Sequence, residues 1–318
     1  MSPPGRPKGE SRAREREGSP MTPPGRPKGE PRAREREGSP MTPPGRPKGE
    51  PRAREHEGSP MSGHVTVGVD GAVATITLDR AAKLNALTTA MLEALEAACA
   101  ALDRDAAVRA VIVASSSTNA CCAGADILEW GPLGALGMWQ RWVRDGQRVF
   151  DRLARLRQPT IAAIGGIAYG GGLELALACD LRIGAADARF AFPEVTVGAV
   201  PGWAGSQRLP RVIGAGRAKQ LILLGQPIDA ATAAAWGLVS EIVPADRLQP
   251  RALELARRIA ENAPTAVQAA KQLVDAGLGE GRTSALEALG AGLAAATADA
   301  REGITAFREK RKPKFTGR

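Results

Sequence analysis

The sequence contains few of the side chains that build disulfide frameworks, zinc sites and histidine-based active sites. Its 318 residues include only four cysteines and two histidines, His56 and His64. The cysteines lie in alanine-rich, apolar surroundings, and the adjacent Cys121 and Cys122 have no matching pair elsewhere. This spacing argues against a disulfide-linked secreted domain and against a zinc motif. We therefore expect no bound metal and a reducing compartment.

Long apolar runs are also missing. No run reaches the roughly 20 residues that cross a bilayer. The first residues lack the apolar segment of a secretory signal peptide. We expect a soluble, cytoplasmic protein that does not act at a membrane.

Residues 1–60 lack an apolar face and consist of three copies of one 20-residue unit, the first of which reads MSPPGRPKGESRAREREGSP. Stacked copies would bury almost no apolar surface, so the repeat does not indicate a solenoid. Its proline, glycine and mixed charge predict a disordered arm, followed by one domain over residues 61–318. Each copy begins with Met, as does the segment at Met61, which raises the hypothesis that translation starts at a later methionine.

The arm also accounts for much of the basic character of the chain. Residues 1–60 carry 14 Lys and Arg against nine Asp and Glu, whereas the other 258 residues carry 29 against 25. A nucleic-acid-binding arm remains an alternative, but its basic residues alternate with glutamate and it has no aromatic residue for base stacking. We therefore do not expect a nucleic-acid partner.

The pattern of residues 61–318 predicts an α/β domain with a helical C-terminal part from about residue 255. Apolar and polar residues alternate on both sides of an Asp70-Gly71 turn, which predicts a β-hairpin. Further strands are predicted at 108–114, 160–164, 181–183 and 189–192, and helices at 88–102, 136–156, 251–262 and 265–276, with a later alanine-rich helix.

The first segment with chemical character is Ala168-Tyr-Gly-Gly-Gly-Leu-Glu174. A strand enters three glycines and a helical pattern leaves them, so backbone N–H groups of the first helical turn are free to hold an oxyanion. The segment matches neither a P-loop nor the dinucleotide GxGxxG pattern. Close packing is the alternative role for such glycines.

Two further segments add small residues and carboxylates. Cys122-Ala-Gly-Ala-Asp126 again places small residues before a helix, where Asp126 is either a helix cap or a ligand-binding residue. Glu194 follows Pro193 among apolar residues. An isolated Glu after Pro is usually an exposed turn residue, but together with Glu174 it forms a pair that can divide acid and base work.

These segments, in this order, resemble the crotonase (enoyl-CoA hydratase/isomerase) superfamily, and enoyl-CoA hydratases most of all. The resemblance runs from about His64 to Arg318. It includes Lys83-Leu-Asn-Ala-Leu87 and a closing Glu302-Gly-Ile-Thr-Ala-Phe-Arg-Glu-Lys-Arg-Lys-Pro-Lys-Phe315. It implies a crotonase-like α/β fold of repeated ββα units with a C-terminal helical trimerisation region. It also implies a homotrimer or hexamer and an acyl-CoA substrate.

The resemblance also implies roles for individual residues. The N–H groups of Ala125 and Gly171 would hold the thioester oxygen, Glu174 would deprotonate water, and Glu194 would supply the proton to Cα. No cofactor is implied, because coenzyme A is part of the substrate. Coenzyme A would be bound by Lys83, Leu84, Ala86, Ala123, Asp126, Ile127, Leu128 and Lys310. For Lys310 an ordinary solvated lysine is the alternative.

The chain departs from the family pattern at three positions. Cys121 replaces a common aromatic residue, Leu128 replaces a frequent Lys or Arg, and Trp203 fills a position that is usually small. Trp203 either reshapes the acyl pocket or packs as an ordinary buried aromatic residue, so acyl-chain specificity is open. Another crotonase reaction such as isomerisation, a nucleic-acid-binding homologue and a catalytically silent family member are the alternatives to a hydratase.

Overall fold

The computed structural model describes residues 63–277 and 290–318. The predicted repeat arm lies outside the described residues, and so does part of the predicted alanine-rich helix. Strands in the described part are His64–Asp70 (β1), Val73–Asp79 (β2), Ala110–Ser115 (β3), Ala120–Cys122 (β4), Thr160–Ile164 (β5), Ile167–Tyr169 (β6), Leu181–Ala185 (β7), Arg189–Ala191 (β8), Ile228–Asp229 (β9) and Glu241–Val243 (β10).

The helices are of unequal length. They are Thr89–Arg104 (α1), Ile127–Trp130 (α2), Ala135–Gly137 (α3), Val143–Ala154 (α4), Gly171–Leu177 (α5), Gly205–Ile213 (α6), Ala215–Leu224 (α7), Ala230–Trp236 (α8), Leu248–Ala260 (α9), Pro264–Gly277 (α10) and Ala298–Arg308 (α11). Within the described ranges, none is long and apolar enough to cross a membrane.

Two sheets organise the described part of the chain. The larger has the strand order β1-β2-β3-β5-β7-β10, and the smaller has the order β4-β6-β8-β9. The β1–β2 pair is antiparallel and closes through Gly71 with φ of 59°, so the predicted hairpin is confirmed. The strands from β2 to β10 in the larger sheet are parallel to their neighbours.

Successive strand pairs contribute one strand to each sheet. This holds for β3 with β4, β5 with β6, and β7 with β8, and helices follow each pair. The predicted α/β fold of repeated ββα units is therefore confirmed. Because β6 and β8 are parallel neighbours, the segments that follow them, at the start of α5 and after Ala191, leave the same edge of the smaller sheet.

The helix α1 shows how local sequence and packing agree. Thr88 caps it by accepting a hydrogen bond from the Met91 N–H. The side chains that α1 buries recur every three or four positions and include Leu95 and Cys99, which lie in the main apolar core. The predicted helix at 88–102 is confirmed.

The predicted helix at 136–156 is confirmed, because the backbone is helical without a break from Ala135 to Ala154, but it includes a π-helical turn that the sequence pattern did not indicate. The segment contains α3, a π-helix at Met138–Trp142, and α4, which ends before Pro159 as expected. A π-turn holds an extra residue per turn, so it shifts the face that each side chain occupies. Trp142 is consequently buried while Trp139 is two-thirds exposed.

The C-terminal part is helical, and it begins slightly earlier than expected, at Leu248. Helix α9 covers the other face of the larger sheet with Ala252 and Ala256 in a second apolar cluster. The buried Asp299 of α11 accepts hydrogen bonds from the N–H groups of Thr316 and Gly317, which fixes the closing segment against this helix.

Candidate active site

Glycines at the start of α5 allow other groups to approach its backbone closely. Gly170 has φ of +49°, and a Cβ built there would lie 2.8 Å from Oε1 of Glu194. A Cβ on Gly172 would overlap the carbonyl oxygen of Cys122. Any larger side chain would therefore displace a carboxylate or a neighbouring strand. The alternative of packing glycines applies to Gly172, whereas Gly170 borders a carboxylate.

The N–H groups of Ala125 and Gly171 lie close together. Leu87 donates its N–H to the carbonyl oxygen of Gly124 at 2.7 Å and accepts from the Asp126 N–H at 2.8 Å. The N–H of Ala125, between these two bonds, therefore points away from Leu87. A Cβ built on Gly171 would lie 3.3 Å from this nitrogen. The two donors predicted for the oxyanion site thus border one space.

Glu174 is held inside the protein by α5. Its side chain is buried, and its Oε1 accepts hydrogen bonds from the N–H groups of Trp203 at 2.7 Å and Gly205 at 2.8 Å. Burial raises the pKa of Glu174 to about 7, against the opposing effect of these two bonds. The nearby charge of Glu194 raises it further. This carboxyl can therefore gain and lose a proton near neutral pH.

Glu194 approaches from a separate element, the 3₁₀ helix Pro193–Val197. It is half-buried, and its Oε2 has no hydrogen-bond partner among the described residues. Burial raises the pKa of Glu194 above its ordinary value. A buried carboxyl oxygen without a hydrogen bond raises the free energy of the folded protein. Such an oxygen beside a second carboxyl is typical of a site that binds a ligand.

A cavity of about 220 Å³ joins these groups. Ala125, Gly171, Glu174 and Glu194 all line it. Its remaining wall is mainly apolar and consists of Ala123, Gly124, Ile127, Trp130, Met138, Trp142, Val143, Gly170, Pro193, Thr196, Val197, Ala199, Val200, Gly202 and Trp203. The arrangement suits a flat or extended carbon chain that carries one polar oxygen.

The predicted coenzyme A residues fall into three groups. Ala123 and Ile127 line the cavity, and the exposed Leu84 and Leu128 lie on the segments that lead to it. Lys83 and Ala86 are half-buried in the same Lys83–Leu87 segment, which the Ala123 N–H joins by donating to the Leu84 carbonyl oxygen at 2.9 Å. The exposed Lys310 is not among the residues that line the cavity.

Asp126 has a clear structural task. It caps α2 by accepting from the Leu128 N–H, and its other oxygen lies 2.6 Å from the guanidinium of Arg80. Both side chains of this ion pair are at most 10% exposed. The carboxylate is therefore already used within the protein, and its contact with any ligand would come through the backbone.

Sequence reasoning did not identify Asn85, which lies between the predicted Leu84 and Ala86. It is fully buried with φ of 54°, accepts from the Arg80 N–H, and donates to the carbonyl oxygens of Ala120 and Cys121. This network ties the 83–87 segment to β4. The signal available in the sequence was a single asparagine among the apolar residues Leu84, Ala86 and Leu87.

The three departures from the family pattern have different outcomes. Cys121 is buried in the core, where burial raises the pKa of its thiol to about 12, and Leu128 is exposed. Trp203 is only 2% exposed, as expected of a buried aromatic residue, and it also lines the cavity, whereas its effect on an acyl group stays a prediction.

Strand pairs that alternate between two sheets, with backbone donors and two glutamates at one cavity, define a protein of the crotonase fold. The enoyl-CoA hydratase/isomerase family matches residues 68–318. A short-chain-enoyl-CoA hydratase of Clostridium acetobutylicum is 39% identical over 251 residues, which is 78% of this chain and 96% of that relative. A crotonyl-CoA hydratase of Syntrophomonas wolfei is 39% identical over 245 residues, covering 76% and 94%.

Solved structures give the same result. The crystal structure of enoyl-CoA hydratase from Bacillus anthracis matches with a TM-score of 0.78 and 38% identity, over 80% of this chain and 99% of that one. The chain belongs to the enoyl-CoA hydratase/isomerase family, and the predicted resemblance is confirmed.

Proposed function

We propose that this protein is an enoyl-CoA hydratase that adds water reversibly to the double bond of a 2-enoyl-CoA thioester, giving a 3-hydroxyacyl-CoA in fatty-acid or related acyl-CoA metabolism. The observation that carries the proposal is the pair of carboxyls with raised pKa values, Glu174 and Glu194, on one cavity with two adjacent backbone donors. Family membership and relatives named enoyl-CoA hydratases support it.

The first step is polarisation of the thioester. Its carbonyl oxygen accepts hydrogen bonds from the N–H groups of Ala125 and Gly171. Negative charge grows on this oxygen as water adds, so the bonds strengthen in the transition state. Removing one such donor typically lowers the rate by roughly 10²–10³-fold.

The second step divides proton transfer between the glutamates. Glu174, ionised and fixed by two N–H groups, takes a proton from water while the water oxygen bonds to Cβ. The electron pair of the double bond moves toward the carbonyl, and protonated Glu194 supplies the proton that bonds to Cα. Dehydration runs the same steps in reverse, and proton exchange with solvent resets the pair.

Binding and assembly complete the proposal. Coenzyme A contacts two segments and one separate lysine. The first segment holds Lys83, Leu84 and Ala86, the second holds Ala123 and Asp126–Leu128, and the lysine is Lys310. The chemistry requires no metal or redox cofactor, because two carboxyls and two N–H groups suffice. We also propose that the protein is cytoplasmic and assembles as a homotrimer or hexamer. Exposed apolar side chains on the C-terminal helices support the assembly: Val274, Leu293, Ile304 and Phe307. Light scattering after gel filtration tests the assembly, and a monomer would contradict it.

Incubation of the full chain with crotonyl-CoA tests the function. We expect the absorbance of the conjugated thioester to fall and the product mass to rise by one water. A product of unchanged mass with a moved double bond would show that the protein is an isomerase rather than a hydratase. A folded protein that binds coenzyme A thioesters but converts none of them would contradict the proposal.

A further inference from the structure

The indole of Trp203 is wedged between two elements of the site. A Cβ built on Gly171 would lie 2.7 Å from Cζ3 of this indole, and a Cβ on Gly146 of α4 would overlap its five-membered ring. The ring therefore occupies the space that two glycines leave open. One of these glycines carries a proposed oxyanion donor, and the other lies 25 residues earlier in a helix that borders the cavity.

Neighbouring groups hold this ring in one position. Its Nε1 donates to the carbonyl oxygen of Trp142 at 3.2 Å. The ring of Trp142 lies 5.4 Å away and the ring of Phe150 packs edge-on at 5.2 Å. Aromatic pairs at these distances stabilise a fixed orientation, and a buried indole N–H needs its partner. Trp203 therefore forms a rigid wall rather than a movable gate.

The position of this wall follows from the chemistry of the site. The Trp203 backbone N–H donates a hydrogen bond to Glu174. The indole is therefore attached to the backbone next to the carboxylate that, in the proposed reaction, faces the reacting carbon. A thioester oxygen at Ala125 and Gly171 fixes one end of the acyl group, and Cβ must reach the glutamates. Carbons beyond Cβ then approach the surface formed by Trp203, Trp142 and Val143, which line the same cavity.

We infer that Trp203 restricts the substrate to short acyl groups, and this inference rests on the proposed function. The cavity of about 220 Å³ is below the roughly 300–1,000 Å³ of pockets that enclose larger ligands. Trp203 thus acts as a specificity-determining residue. Its backbone N–H orients the Glu174 carboxylate, while its side chain limits the length of the acyl group.

The test compares hydration of crotonyl-CoA and 2-decenoyl-CoA by the wild type and by Trp203→Ala. We expect the wild type to prefer the four-carbon substrate at least 100-fold in kcat/KM. Opening the wall by Trp203→Ala should raise the ten-carbon to four-carbon ratio by at least about 10-fold, the effect of one or more methylenes in an apolar pocket. Trp203→Phe, which keeps an aromatic ring, should produce a smaller shift in the same direction.

Trp236→Ala is the matched control, because Trp236 contacts Arg217 and does not line the cavity. It should leave the ratio unchanged. Equal wild-type rates on both chain lengths, or a ratio within twofold of wild type in both Trp203 variants, would overturn the inference.

Binding separates this inference from the proposed function. Calorimetry with the unreactive butanoyl-CoA and decanoyl-CoA should show the same length preference and the same change in Trp203→Ala. Discrimination in binding without any hydration would refute the function and support the wall. Hydration without discrimination in binding or turnover would refute the wall and support the function.

Discussion

Two elements that line the cavity, α5 and the 3₁₀ helix Pro193–Val197, hold the same functional group in different ways. On the α5 side, Glu174 is 2% exposed and its carboxylate accepts two backbone hydrogen bonds. Glu194 instead lies on a short 3₁₀ helix, is half-buried, and has one oxygen without a partner in the described part of the chain. The difference fits the roles proposed for them, with Glu174 held in place to act on water and Glu194 freer to supply a proton.

The largest effect should come from removing either carboxylate while preserving its shape. Glu174→Gln and Glu194→Gln should each lower hydration of crotonyl-CoA by about 10²–10⁴-fold, because general acid or base help is lost. Thioester affinity should change little. Glu93→Gln, on the exposed face of α1, is the control and should retain full activity. A variant of either site glutamate with near-wild-type turnover would remove that residue from the mechanism.

A second comparison concerns stability, because Glu174 is more deeply buried than Glu194. Its folded-state pKa of about 7 lies above its ordinary value of 4.5. Between these values the folded protein keeps a proton that the unfolded chain has released, so stability falls as pH rises through this window. The penalty is absent at lower pH and complete above about 7.

Urea unfolding across pH 4.5 to 8 measures this penalty. Because one pKa unit corresponds to about 1.4 kcal/mol, the upper bound of this loss in the free energy of unfolding is roughly 3 kcal/mol. Glu174→Gln should remove most of the pH-dependent loss, and Glu194→Gln should remove less. Parallel pH profiles for the wild type and Glu174→Gln would mean that Glu174 titrates normally.

Paired glycines sharpen the contrast between the two sides. A methyl group on Gly171 would meet the rigid Trp203 ring, whereas one on Gly198, beside the Glu194 helix, meets nothing within 4 Å. Gly171→Ala should lower hydration by about 10- to 100-fold through displacement of an oxyanion donor or of the indole. Gly198→Ala should retain turnover. Its free energy of unfolding should fall by only about 1–2 kcal/mol, because φ there is +73°, a conformation that alanine disfavours.

Activity and urea unfolding of both glycine variants test this pair. Equal losses of turnover would show that the 3₁₀ side is as tightly constrained as the α5 side. A fully active Gly171→Ala would contradict the close packing around the donor.

Sequence patterns predicted the parts of the fold that are long and regular. The alternation in β1 and β2 and the spacing of Leu95 and Cys99 in α1 were sufficient, because each depends on one face of one element. The smaller sheet was largely missed, since strands of two or three residues such as β4 and β9 contain too little pattern. The π-helix was missed because its packing, rather than its composition, distinguishes it from an α-helix.

The site was predicted to a similar extent. Family resemblance proposed Glu174, Glu194, Ala125 and Gly171 as site residues, and the fold brings these four to one cavity. It did not supply their environment, because the raised pKa of Glu174 depends on burial and on N–H groups at Trp203 and Gly205. The indole of Trp203 fits only because residue 146 is glycine, a long-range dependence that no local pattern contains.

A double-mutant cycle on the two glutamates tests the central claim most directly. Hydration of crotonyl-CoA would be measured for the wild type, Glu174→Gln, Glu194→Gln and the double variant. Residues that act as one unit are strongly non-additive, so the double variant should be within about tenfold of the slower single variant. Losses that simply multiply, or a single variant close to wild type, would contradict the division of acid and base work between the two carboxyls.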